Sequence, residues 1–181
     1  MRNPAYTFYE QLVKSRILSG DPVVHVAIIQ DGNRRFALQR GLSTFLGHSL
    51  GAETSEKVIE WCVEMKVLHL TLYAFSTENF SRNEGEKEYL FDLIRDKFAD
   101  LSRSKKIHDN RVHVRAIGRL EMLPAELQEQ IRRTEEATRR YDRMFLNIAL
   151  AYGGQRELVD AARCLARMVV EKRICAEQVD E

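Results

Sequence analysis

The sequence predicts an α/β protein with a mainly parallel sheet flanked by helices, and three observations carry that prediction. Apolar runs recur at residues 26–29, 68–75, 112–117 and 145–152, stretches with helical spacing lie between them, and polar turns follow the ends of the runs. Alternation of this kind implies parallel strands joined by helical crossovers.

The elements follow in order. Asn3 and Pro4 predict an N-cap and first-turn proline for a helix reaching about Leu18, with Phe8, Leu12 and Ser15 on one face and Gly20, Asp21 and Pro22 ending it. Val26 to Ile29 is a continuous apolar run, suited to a parallel strand buried on both faces. A short helix comes next, then a longer one from His48 to Lys66 on which Val58, Ile59, Cys62 and Met65 share a face. The second strand covers about 68–75. Glu86 to Arg103 carries the stripe Leu90, Phe91, Ile94, Phe98 and Leu101. Val112, Val114 and Ile117 mark a third strand, and Pro124 opens a helix bearing Leu127, Ile131 and Ala137. Phe145 to Tyr152 is the fourth strand, leading through Gly153 and Gly154 into a last helix with Leu158, Ala162, Leu165 and Val169. Without repeats, low-complexity stretches or a linker, residues 1–181 are expected to form one domain.

Composition excludes several functions. The 28 basic side chains balance 27 acidic ones, so no bulk field favours nucleic acid, and Arg132, Arg133, Arg139 and Arg140 alternate with acids as a solvated helix face does. Cys62, Cys164 and Cys175 lack CxxC spacing, which argues against a disulfide framework or zinc site and for a reducing cytoplasm. No secretory signal opens the chain, and no apolar stretch approaches the ~20 residues that span a bilayer, so any membrane contact is expected to be peripheral. The YGG turn is not a GxGxxG fingerprint and no GxxxxGK[ST] loop occurs, so a nucleotide-binding Rossmann domain is not expected.

The chemistry concentrates in two strand-to-turn segments. In HVAIIQDGNRRFA, residues 25–37, Asp31 stands beside Gly32 and Asn33, whose backbones tolerate tight turns, and beside Arg34 and Arg35, which add forked donors. A carboxylate among anion-binding groups suits a Mg²⁺ ion bridging to phosphate oxygens. A bare DGN tripeptide equally describes a surface turn. The segment LHLTLYAFSTENFSRNEGEKE, residues 68–88, repeats the pattern with Ser76, Thr77, Glu78, Asn79 and Arg82. Between them, Gly47, His48 and Gly51 fall near a predicted helix start, where an anion is favoured, although the glycines could serve only to pack that helix closely on a strand.

In HVAIIQDGNRRFA, GHSLGA, TLYAFSTENFSR and FLNIALAYGGQRELVDA, in this order and over roughly residues 24–181, the chain closely resembles the cis-prenyltransferases. That is the family of undecaprenyl diphosphate synthase and dehydrodolichyl diphosphate synthase. The resemblance implies condensation of an allylic prenyl diphosphate with isopentenyl diphosphate units in Z geometry, with Mg²⁺ as cofactor. It implies Asp31 as the catalytic and Mg²⁺-linked carboxylate, Gly32, Asn33, Arg34, Arg35 and His48 as allylic diphosphate holders, and Phe36 as a substrate-binding residue. It places Ser76, Thr77, Glu78, Phe80 and Arg82 in the second substrate-binding motif and Asn79 in the proton-removal step, although a neutral amide is a poor base and could instead orient substrate. A growing hydrocarbon needs a dry tunnel, for which Phe91, Ile94 and Phe98 with Ala74 opposite are the candidates; the same stripe reads equally as plain core.

The sequence departs from the family pattern in places. Its usual RxGxxRxSxF segment, which binds isopentenyl diphosphate, and a later acidic Mg²⁺ partner do not occur before Glu181, so the chain is expected to represent a shortened form. Thr44, Arg119 and Asn83 replace a common arginine, aspartate and proline. A homodimer is expected of the complete form. The rival expectation is a non-catalytic prenyl-diphosphate-binding or regulatory subunit of the same fold, and a Mg²⁺-dependent phosphohydrolase would need a second carboxylate cluster that the sequence does not offer.

Overall fold

The computed structural model describes residues 4–21, 23–175 and 178, so Asn3 and Pro22 of the predicted first-helix boundaries lie outside the described residues. The elements are α1 (Pro4–Ser19), β1 (His25–Ile29), α2 (Asn33–Gln39), α3 (Thr44–Glu64), β2 (His69–Ser76), α4 (Glu84–Arg103), α5 (Lys105–Asp109), β3 (Val112–Gly118), α6 (Ala125–Thr138), β4 (Met144–Tyr152) and α7 (Gly154–Val170). Short 3₁₀ turns at Thr77–Ser81 and Leu120–Met122 complete the set.

The four strands form one all-parallel sheet in the order β1-β2-β4-β3. Leu70 and Leu72, Val112 and Val114, and Leu146 and Ile148 point to one face, where they join Ile59 and Cys62 of α3, Leu90 and Phe98 of α4, Ile107 of α5, and Leu127 and Ile131 of α6 in a single core. The opposite face is only half covered. There His25, His69, Phe145 and His113 stand in register across all four strands, with neighbouring ring centroids 5.0–5.8 Å apart.

This asymmetry corrects the reading of β1 as a strand buried on both faces. It is an edge strand whose side chains alternate between exposed and half-buried, and Ile29 is 74% exposed. The same asymmetry leaves the apolar stripes of two helices in solvent: Phe8 and Leu12 of α1 and Leu158 and Leu165 of α7 are exposed, and no residue of α7 is buried.

The other sheet edge is managed by α6. Thr138 Oγ1 accepts from the Val114 N–H at 3.1 Å and Glu135 Oε1 from the Ala116 N–H at 2.8 Å. Outward donors of β3 are thereby satisfied by side chains rather than left to pair with another strand. Thr134 on the same helix donates to the Phe98 carbonyl at 2.9 Å and locks α6 to α4.

Candidate active site

The site forms beyond the carboxyl ends of β1 and β2, where open parallel sheets bind ligands. The Gln30 N–H donates to the Tyr73 carbonyl at 3.1 Å, so Asp31 is the first residue to leave the sheet. Gly32 then adopts a left-handed conformation, φ 92°, and its N–H donates to Asp31 Oδ1 at 2.6 Å. That turn starts α2 at Asn33 and puts Arg34 and Arg35 on its first turn, where Arg35 pairs with Asp31 Oδ2 at 2.7 Å. Phe36, one residue on, turns away and lies under the Arg40 guanidinium, 4.3 Å from the ring centroid.

Helix α3 begins at Thr44, capped by Ser43 Oγ accepting from Leu46 N–H at 3.2 Å, four residues earlier than expected. Thr44 therefore serves as its first residue, and His48 lies past the first turn rather than offering free backbone donors. The glycines pack α3 against α2, not against a strand. A Cβ on Gly47 would stand 2.5 Å from the Asn33 carbonyl oxygen, and one on Gly51 would stand 2.5 Å from the Asn33 side-chain amide. Only glycine permits this approach, and it holds Asn33 in place.

The second segment is organised by a capping box. Ser76 accepts from the Asn79 N–H, and the Ser76 N–H donates back to Asn79 Oδ1 at 2.9 Å. Thr77 packs against Gly153, where a Cβ would approach its Oγ1 to 2.6 Å. Glu78 is exposed, and Phe80 packs into an aromatic cluster with Phe75 and Phe91 at 5.1 and 6.1 Å. Asn83 acts as N-cap of α4, accepting from the Glu86 N–H at 2.9 Å.

Glu86 is the member of the site that sequence reasoning missed. It is 3% exposed, and its Oε1 accepts from His48 Nε2–H at 2.9 Å and from Arg82 at 2.8 Å, with Arg34 at 3.6 Å. Burial pushes the Glu86 carboxyl up, but the hydrogen bond from His48 and the charges of Arg82 and Arg34 outweigh it and hold it below the usual carboxylate range. Its four-residue spacing from Arg82 was the only local signal.

From this charged mouth a cavity of about 710 Å³ runs between α3 and α4. Asp31, Gly32, Asn33, Arg34, Arg35, His48, Asn79 and Arg82 line its entrance, with Gln30 and Ser55, which hydrogen-bond to each other at 2.5 Å. Ile59, Leu72, Ala74, Leu90, Leu93, Ile94, Phe98, Ile107 and Ile148 line its depth. Phe36, Ser76, Thr77, Glu78 and Phe80 stand outside this lining, acting on it only through the segments they shape. Ile94, Phe98 and Ala74 take the expected wall positions, whereas Phe91 turns into the aromatic cluster with Phe75, at 5.3 Å. A mouth lined by arginines on a deep apolar cavity has the chemistry of a site for an amphiphile with an anionic head and a hydrocarbon tail.

A family model described as undecaprenyl diphosphate synthase matches residues 29–181. The chain belongs to this prenyltransferase family. Among curated members, tritrans,polycis-undecaprenyl-diphosphate synthases (geranylgeranyl-diphosphate specific) are similar to it: that of Methanopyrus kandleri is 43% identical over 98% of this chain and 66% of its own length. That of Methanosarcina mazei is 46% identical over 97% of this chain and 59% of its own. Lavandulyl diphosphate synthase from Lavandula x intermedia, solved with dimethylallyl diphosphate, is 31% identical with a TM-score of 0.78, covering 86% of this chain and 66% of that one. The chain thus spans about three-fifths to two-thirds of the length of these prenyltransferase relatives.

Proposed function

We propose that the chain, acting as one domain, carries the allylic-substrate half of a cis-prenyltransferase site, in which an allylic prenyl diphosphate is extended by isopentenyl diphosphate to a Z-polyprenyl diphosphate. The observation that carries this reading is the junction of a cationic mouth with an apolar cavity of about 710 Å³. Family membership, relatives named as undecaprenyl diphosphate synthases and a similar structure solved with dimethylallyl diphosphate support it.

In this reading Arg34, Arg35, Arg82 and His48 hold the diphosphate, and the hydrocarbon lies along Ala74, Leu90, Ile94 and Phe98. Each buried CH₂ contributes about 0.8 kcal/mol, so a five-carbon unit adds roughly 4 kcal/mol to retention of the chain. The arginines stabilise charge that develops on the departing bridging oxygen. The Asn79 side-chain oxygen is taken by the Ser76 N–H. That leaves Asn79 its amide donors toward the cavity, a role in orienting substrate rather than in removing a proton.

Asp31 fits a magnesium site. Among the described residues no three His, Cys, Asp or Glu side chains gather, but Mg²⁺ commonly takes one or two carboxylates and completes its shell with water and phosphate oxygens. Asp31 is exposed at the mouth beside the arginines, and Arg35, its present partner, is itself a candidate diphosphate ligand. Bound there, the ion would supply charge neutralisation for the leaving diphosphate.

No helix of the described residues is long and apolar enough to cross a membrane, and we place the reaction in the cytoplasm with the product handed to a membrane surface. A homodimer is the proposed assembly. The test is incorporation of radiolabelled isopentenyl diphosphate onto geranylgeranyl or farnesyl diphosphate with Mg²⁺, alongside direct allylic diphosphate binding. Binding together with incorporation that Asp31→Ala abolishes supports the reading. Absence of any allylic diphosphate binding overturns it.

A further inference from the structure

Between the two strand-end segments of the site stands a tyrosine with a hold on both. The Tyr73 carbonyl accepts from the Gln30 N–H at 3.1 Å, just before Asp31 leaves the sheet, and the Tyr73 hydroxyl donates to the Tyr152 carbonyl at 2.8 Å. The two rings meet edge to face with centroids 5.8 Å apart. Burial, and then the charge of Glu78, push the Tyr73 phenol up, so it stays protonated and able to donate.

That hydroxyl spans an irregular stretch of the sheet. Tyr73 lies beside Ala149, Phe75 beside Leu150 and Ser76 beside Tyr152, so each strand carries an extra residue, Ala74 on β2 and Ala151 on β4. Bulges of this kind disrupt the ladder locally and re-aim neighbouring side chains. Ala74 lines the cavity, and Ala151 is fully buried in a left-handed conformation, φ 48°, which a residue with a Cβ rarely adopts. Beyond it, Gly153 packs so closely on Thr77 that a Cβ would stand 2.6 Å from Thr77 Oγ1. Thr77 opens the turn whose capping box fixes Asn79. The end of β4 thus supports the Asn79 turn, and where regular strand pairing lapses the Tyr73 hydroxyl supplies a bond that holds it.

We propose that Tyr73 is a positioning residue of the site: its hydroxyl, through the Tyr152 carbonyl and the Gly153–Thr77 contact, sets the Asn79 amide relative to Asp31. This rests on the proposed prenyl diphosphate reading, in which Asn79 orients the substrate, and adds a residue that does not itself line the cavity. Tyr73 acts on the ligand only through Asn79, so its hydroxyl has no effect once the Asn79 side chain is gone.

The test removes the hydroxyl and keeps the ring. Amide hydrogen exchange of the ligand-free wild-type and Tyr73→Phe proteins is compared at Ser76, whose N–H is held by Asn79 Oδ1, and at Val114 on the distant β3 edge. Farnesyl diphosphate affinity is measured by calorimetry for wild type, Tyr73→Phe, Asn79→Ala and the double variant. Exchange at Ser76 is expected to accelerate about ten-fold with Val114 within about two-fold, the difference marking a local rather than a global opening. Tyr73→Phe is expected to weaken farnesyl diphosphate about five-fold in the wild-type background and by less than about two-fold in the Asn79→Ala background. Should Asn79→Ala abolish binding altogether, the exchange rates decide. If Ser76 exchange is unchanged or accelerates only in step with Val114, or if Tyr73→Phe costs the same affinity in both backgrounds, the inference is overturned while the substrate reading stands. If the wild-type protein binds no farnesyl diphosphate, the substrate reading falls and takes the inference with it.

Discussion

His48 on α3 and Glu86 on α4, thirty-eight residues apart, meet through Nε2 and Oε1 at 2.9 Å inside the charged mouth. A buried carboxylate among cationic side chains acts as an anchor: it fixes His48 and Arg82 in position, while Arg34, at 3.6 Å and half exposed, is held less closely.

Glu86→Ala removes one partner of a buried ionic cluster and is expected to cost about 3 kcal/mol or more, read by urea denaturation. Because the folded carboxyl lies below its ordinary value of 4.5, its stabilising contribution is fully present above that pH and fades as pH falls through the folded value. The wild-type and Glu86→Gln denaturation midpoints should therefore converge between pH 5 and strong acid. A gap that persists unchanged in acid would refute the anchoring role.

Asp31→Ala should leave stability nearly untouched, since the Asp31–Arg35 pair is exposed and such pairs contribute about 1 kcal/mol or less. Its effect belongs to the ligand. Magnesium is expected to tighten farnesyl diphosphate binding to the wild-type protein and to do nothing for the variant, as measured by calorimetry with and without the metal.

Two glycines offer a matched comparison. Gly51→Ala puts a methyl against the Asn33 amide, at 2.5 Å, and should cost about 1–3 kcal/mol while weakening diphosphate binding. Gly154→Ala, at the start of α7, meets nothing within 4 Å and should be neutral or stabilising by about 0.5–1 kcal/mol. Equal thermal shifts for both would contradict the packing assigned to Asn33.

Thr138→Val removes the acceptor for the Val114 N–H on the β3 edge and leaves that buried donor unpaired, at about 1–3 kcal/mol. Hydrogen exchange at the Val114 amide should accelerate beyond the change in global stability.

Local pattern was enough for much of this. Apolar runs and helical spacing located all four strands and the body of each long helix, because side-chain periodicity follows directly from backbone geometry. Boundaries were harder. The helix was expected to start at His48 with Gly47 and Gly51 near that start and packing it on a strand, whereas α3 starts at Thr44 and these glycines pack it on Asn33 of α2. The 3₁₀ turn Thr77–Ser81 was read as loop, since its stabilising bond is a side-chain capping box.

By itself the sequence determined the parallel α/β class, the family, and the two strand-end segments that carry Asp31 to Arg35 and Asn79 to Arg82, since each is a contiguous string whose chemistry is local. Tertiary structure alone decided that Glu86 joins His48, that Phe91 leaves the cavity wall for Phe75, and that β1 is an edge strand with one open face. It alone decided that Lys97 pairs with Glu56 and Lys106 with Glu60, joining α3 to α4 and α5 beside the cavity. Those outcomes depend on which distant surfaces meet, and periodicity within a segment carries no record of its neighbour.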